Sequence, residues 1–130
     1  MGLSQISNDI SRIEKSISDI DRKISDENRK EASKQSEISR TMNSLKNASP
    51  SSLKSKQDQI ERLNRDVSEC RKRVGNYSSD KARLLDQLAR KRDDYAREEK
   101  KSEIKTKRLR KISVNKFKNH FVSTVHSIRD

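Results

Sequence analysis

Hydrophobic residues in the first part of the chain recur at alternating steps of three and four. Between Leu3 and Ile24 they fill heptad positions a and d without exception: Leu3, Ile6, Ile10, Ile13, Ile17, Ile20 and Ile24. A period of 3.5 residues is typical of a coiled-coil seam, in which one narrow apolar stripe of a helix faces a partner helix. The pattern predicts a first long helix over residues 1–48.

Charged residues interrupt this stripe at Glu27, Glu31 and Lys34 before Ile38 and Leu45 restore it. Carboxylates inside a helical bundle can bind metals, but the diiron pattern needs Glu-x-x-His repeats, and this sequence has none. We therefore expect the three residues to fix the register of the seam, or to pair with basic neighbours such as Arg71 of a second helix.

A turn is predicted at "KNASPSSLKSK", which contains the only proline of the chain. Ser49 before Pro50 is a helix start signal, because serine caps an orphaned backbone N–H and proline has none to orphan. A second long helix is predicted over residues 49–103, in which Gly75 could introduce a kink but a continuous helix is favoured. Its seam residues are Leu53, Ile60, Leu63, Val67, Val74, Tyr77, Leu84 and Leu88.

Other residues fall on the rows of this second seam. Cys70 is expected to be a small buried apolar residue, with Arg71 and Arg73 pointing away from it. Lysines interrupt the rows at Lys56, Lys81 and Lys91.

Two arms of equal length joined by a short turn predict an all-α fold, a long antiparallel helical hairpin. Leu3 is expected near Tyr95 and Leu45 beside Leu53. The chain is only 28% hydrophobic and 40% charged, so its narrow seam cannot comfortably offset the entropy of ordering two such helices. We expect oligomerisation to complete the fold.

One candidate surface for a further helix is heptad position b of the first helix, a column of small residues. A close approach there is the functional interpretation, and simple abundance of serine in this chain is the alternative. The column consists of Ser4, Ser11, Ser18, Ser25, Ala32 and Ser39.

The C-terminal segment, residues 104–130, is predicted to be a basic tail or a short amphipathic helix. It holds eight basic residues and one acidic one, so it carries +7 of the net charge of +12. Phe117, Phe121, Val125 and Ile128 could line one face of a helix, although a strand is also open there. Candidate contacts with nucleic acid or an acidic protein are Lys105, Lys107, Arg108, Arg110, Lys111, Lys116 and Lys118. Binding to a membrane surface is disfavoured, because the apolar face is short and lacks tryptophan.

Residues for catalysis or for cofactors are not evident. His120 and His126 are six positions apart, which misses the spacing that brings two metal ligands to one helical face. A Gly-rich phosphate loop cannot form with Gly2 and Gly75 alone. Cys70 is the single cysteine, which fits a reducing compartment, and we expect a cytoplasmic protein.

The stretch from Ser49 to Lys101 resembles the helical segment that precedes Toll/interleukin-1 receptor (TIR) domains and other effector domains in some bacterial antiphage defence proteins. The turn at residues 49–56, "SPSSLKSK", and the helix end at residues 97–101, "REEKK", carry the resemblance. It implies a bacterial assembly module joined to an effector. No TIR sequence follows here, so the effector would be a separate protein or the tail would replace it.

The functional hypothesis from the sequence is a non-enzymatic coiled-coil scaffold that self-associates or docks a larger effector protein. The alternative is an accessory protein that binds nucleic acid through residues 104–118.

Overall fold

Two α-helices make up the fold. The computed structural model describes the backbone of residues 2–129 and the side chains of residues 2–115. Helix α1 spans Leu3–Ser44, a 3₁₀ turn spans Leu45–Asn47, and helix α2 spans Pro50–Arg129. The two helices pack against each other, and the described residues contain no strand. This confirms the predicted all-α helical hairpin.

The turn between the helices forms as its sequence predicts. Ser49 Oγ accepts the Ser52 backbone N–H at 3.4 Å, and its carbonyl accepts the Leu53 N–H at 2.9 Å. Pro50 is the first residue of α2. Ser49 is therefore the N-cap, and the helix starts with a proline that leaves no amide hydrogen unsatisfied.

Helix α2 passes through Gly75 and residue 103 without a break. The segment 104–129, predicted as a separate tail or short helix, is the backbone continuation of α2, so the strand alternative was wrong. Leu109 and Ile112 lie on the heptad rows of the seam, and neither proline nor glycine occurs between Gly75 and residue 129 to interrupt the helix. Phe117, Phe121, Val125 and Ile128 lie outside the residues whose side chains are described.

The first of two compact units is Ser11–Ala89. Its apolar cluster joins Ile38 of α1 to Leu63 and Val67 of α2, with Ile60 packed beside them. Cys70 and Leu88 are also buried. Ile13, Ile17, Ile20 and Ile24 are half-buried.

The second unit consists of Met1–Ile10 and Arg90–Asp130. Ile6 is its buried apolar residue, and Ile10 and Tyr95 are half-buried. Leu3 lies in grooves lined by Glu98, Ser102 and neighbouring residues. Tyr95 does not line these grooves, whose α2 residues begin at Glu98, three positions further along the helix.

Candidate functional site

The charged residues that interrupt the seam are the most distinctive chemical feature of the hairpin. We call them the charged seam residues: Glu27, Glu31, Lys34, Lys56, Lys81 and Lys91. All six lie on heptad rows that the helices turn toward each other, and each is buried or half-buried. Each of them also has a polar partner on the opposite helix.

The pair between Glu27 and Arg73 lies deepest. Glu27 is only 6% exposed, and its Oε2 is 3.0 Å from Arg73 Nε. That N–H is not aligned with Oε2, so the contact is a close ion pair without a well-formed hydrogen bond. Lys30, one turn along α1, adds a second positive charge at 3.6 Å.

Cys70 completes this cluster in the seam. The cysteine is 2% exposed, and Arg73 Nη2 lies 3.5 Å from its Sγ. Burial was predicted correctly for Cys70, whereas the expectation that Arg73 points away from it was wrong. Arg73 lies three residues along the same helix, and its long side chain folds back over the seam to reach the carboxylate of Glu27.

Electrostatics keeps the Glu27 carboxylate ionised. Burial raises the pKa of Glu27, but the close donor groups of Arg73 and Cys70 and the positive charges of Arg73 and Lys30 outweigh it. The net result is a pKa below the ordinary value of 4.5. The same contact raises the pKa of Arg73, with the nearby Glu27 carboxylate as the leading cause. A two-helix seam leaves solvent close by, so this attraction is strongly screened.

Two neighbouring charged seam residues of α1 form similar ion pairs with α2, one through a negative and one through a positive side chain. Glu31 Oε1 accepts a hydrogen bond from Arg71 Nε at 2.6 Å, which confirms the predicted contact with Arg71. Lys34 Nζ lies 3.5 Å from Asp66 Oδ2.

In three further contacts, the charged residue on the heptad row is a lysine of α2 and its partner belongs to α1. Lys81 Nζ lies 2.7 Å from Asp21 Oδ1. Lys56 Nζ donates to the Ser44 carbonyl at 3.3 Å, and so caps the C-terminal end of α1, where backbone acceptors are unsatisfied. In the unit that contains the chain's first residues, Lys91 Nζ lies 3.3 Å from Asp9 Oδ2.

These contacts give the charged seam residues a structural task. Displacing one helix by a heptad would separate these pairs, and Glu27 would then lie opposite Asp66 or Asp80, another carboxylate. Such a loss of partners is costly at a half-buried position. Polar residues at core positions specify register and orientation of coiled coils in this way. The sequence predicted this register-fixing role for Glu27, Glu31 and Lys34. Lys56, Lys81 and Lys91 were interpreted only as interruptions of the apolar rows.

The predicted seam residues lie mostly where expected. Ile6, Leu63, Val67 and Leu88 are buried. Leu53, which lies in the first turn of α2, is 36% exposed. The remaining predicted seam residues are half-buried: Leu3, Ile10, Ile13, Ile17, Ile20, Ile24, Ile60, Val74, Tyr77 and Leu84.

The predicted basic contact residues are exposed along α2. Those with described side chains are Lys105, Lys107, Arg108, Arg110 and Lys111. Lys116 and Lys118, like His120 and His126, lie outside the residues whose side chains are described. The small-residue column at heptad position b is exposed over its whole length.

Two further observations bear on chemistry. Among the described residues, no three His, Cys, Asp or Glu side chains are grouped as a metal site would require. Within the same part of the chain, neither helix has a stretch apolar enough to cross a bilayer. The arrangement holds two helices in one alignment and presents charged outer faces.

No protein-family model, curated protein or solved structure matches this chain.

Proposed function

We propose that this chain is a non-catalytic coiled-coil scaffold that self-associates or docks a protein partner. The observation that carries the proposal is the incomplete burial of the isoleucine seam. Ile13, Ile17, Ile20 and Ile24 occupy a and d positions, yet all four are only half-buried in the hairpin. Covering the rest of their surface would stabilise an assembly by about 25 cal/mol per Å² of apolar area.

The column of small residues supports this proposal. Ser11, Ser18 and Ser25 lie beside the half-buried isoleucines, at heptad position b, and are exposed. Short side chains allow another helix to approach the backbone closely, which long charged side chains would prevent. We propose this edge of α1 as the contact face.

The resemblance of residues 49–101 to segments that precede effector domains adds a biological setting. We propose an accessory subunit of a bacterial, antiphage defence effector system that acts in the cytoplasm. The single cysteine, buried and reduced, agrees with that compartment.

Size-exclusion chromatography with light scattering tests the proposal on the full chain. The variant S11K/S18K/S25K adds three long side chains to the proposed contact face, and N8K/S33K/S36K adds the same charge at other exposed positions of α1. We expect an oligomer that the first variant dissociates and the second leaves intact. A helical monomer at micromolar concentration that binds no protein partner would overturn the proposal.

A second candidate function is nucleic-acid binding through the basic part of α2. Residues 104–115 contain five basic residues, all exposed, and no acidic one. Neutralising phosphates releases counterions, so affinity for duplex DNA should fall steeply with salt, with a log-log slope of about −0.9 per phosphate contacted.

A matched pair of variants tests that candidate. K107A/R108A/R110A/K111A should abolish binding to DNA. K54A/R62A/R65A/K72A removes the same charge from other exposed positions of α2 and should have a weaker effect. DNA affinity that survives the first set would exclude this segment as the binding site.

A further inference from the structure

The seam of α2 continues beyond its contact with α1. The heptad rows that carry Lys91, Tyr95 and Glu98 reach Leu109 and Ile112 two to three heptads later. The first three are half-buried, whereas Leu109 is 57% exposed and Ile112 is 52% exposed. The same helical stripe therefore changes from covered to open within one unit of the structure.

The transition occurs at the first turn of α1. Leu3, where α1 begins, lines a groove of about 240 Å³ with Ser102, Thr106 and Arg110. A second groove of about 300 Å³ lies between Leu3 and a wall of Glu98, Ser102 and Lys105. Every described residue from 101 to 115 is exposed. We call residues 102–115 the open seam.

Charge distinguishes the open seam from the covered part of α2. Lys81 and Lys91 each have a carboxylate of α1 within 3.3 Å. Within the described part of the chain, no ion pair joins the basic residues of the open seam to a carboxylate. Those residues are Lys105, Lys107, Arg108, Arg110 and Lys111. Lys105 lies on the row of Lys91 and Ile112, Arg108 flanks Leu109, and the other three basic residues lie at outer heptad positions. The open seam thus repeats the hairpin's pattern of lysine and aliphatic residues on the rows, without an ion-paired carboxylate among the described residues.

We propose that the open seam docks an acidic amphipathic helix of another protein. Leu109 and Ile112 would pack into the apolar stripe of that helix, and Lys105 and Arg108 would pair with its carboxylates, as Lys81 and Lys91 do with α1. Exposed aliphatic side chains favour a protein partner over nucleic acid, because phosphates need only the charge. A second copy of this chain is disfavoured, since its own open seam is basic. The inference rests on the proposed docking function and names its site and partner chemistry.

Synthetic helices of about three heptads provide the probe. The first peptide has Leu at a and d with Glu at e and g. The second keeps the Glu residues but has Ser at a and d, and the third keeps the Leu residues but has Lys at e and g. Fluorescence anisotropy with the full chain should show binding of the first peptide and at least about tenfold weaker binding of the other two.

Variants of the chain locate the binding site. L109S/I112S should weaken the first peptide at least about tenfold, whereas L85S, which alters another exposed leucine of α2 at 47% exposure, should not. All three altered residues are exposed, so circular dichroism should show unchanged helix content. K105A/R108A should also weaken binding, and added salt should reduce the loss that it causes.

Three results would overturn the inference: no binding of the first peptide, equal binding of the first and second peptides, or indifference to L109S/I112S. Duplex DNA that binds more tightly than the first peptide, through the basic residues alone, would instead assign the open seam to nucleic acid. Light scattering separates these failures from failure of the scaffold proposal, because a chain that assembles but ignores the peptide loses only the open-seam inference.

Discussion

Two neighbouring stretches of the same seam use opposite chemistry. Around Ile38, Leu63 and Val67 the helices meet through aliphatic side chains. A few turns away, the buried carboxylate of Glu27 meets the partly exposed guanidinium of Arg73 beside Cys70. Aliphatic contacts are nondirectional, so a sequence of regular heptads packs almost equally well after a shift of seven residues. Charged contacts lose their partners after such a shift. We therefore infer that the aliphatic stretch holds the two helices together and that the charged stretch fixes their alignment.

The largest effect is expected from the aliphatic stretch. Leu63→Ala should lower the free energy of unfolding by about 2 to 3 kcal/mol, the low end of the range for a buried leucine, because a two-helix seam can partly collapse. Urea unfolding followed by circular dichroism measures it. Leu85→Ala, at an exposed position of the same helix, should stay within about 0.5 kcal/mol. Equal losses for the two variants would mean that the aliphatic cluster does not hold the helices together.

The stability that the charged stretch contributes should depend on pH. The pKa of Glu27 is lower in the folded chain than its ordinary value of 4.5, so its contribution to stability is present above pH 4.5 and is lost as the pH falls through the folded value. Wild type should therefore exceed Glu27→Gln in melting temperature at neutral pH, and the difference should shrink in acid. A difference that is constant with pH would show that the charge of Glu27 is not what stabilises the pair.

The smallest effect is expected at Gly75, which lies in neither the aliphatic nor the charged stretch. Its position is helical, and a Cβ placed there would meet no atom within 4 Å. Gly75→Ala should raise the free energy of unfolding by about 0.5 to 1 kcal/mol, because alanine loses less backbone entropy in a helix. Urea unfolding checks the sign, and a lower stability would mean that the small residue serves a contact outside the hairpin.

Heptad periodicity predicted both helices, their equal lengths predicted the antiparallel pairing, and Ser49 before Pro50 predicted the cap. Those features depend on local preferences and on a repeat that is visible in the sequence. The pairing of Glu31 with Arg71 followed from the same rows. The partners of Lys81 and Lys91 were missed, because Asp21 and Asp9 lie outside the a and d rows and only the side-chain reach across the helices selects them.

One error has a clear physical cause. Arg73 was expected to point outward from its heptad position. The row was treated as a fixed direction, whereas a long side chain can fold back over a seam. The continuation of α2 from residue 103 to Arg129 was missed as well, because the change to a charge-dense sequence was taken as the start of a separate segment.

The central claim is that charge pairing across the seam aligns the helices, and a charge exchange at its deepest pair tests it most directly. Melting temperatures of wild type, Glu27→Arg, Arg73→Glu and the double variant form a double-mutant cycle. Each single variant places like charges in contact and should melt well below wild type, while the double variant should recover most of the loss. A double variant that melts as low as the two single losses combined would contradict the claim, because the two side chains would then act independently.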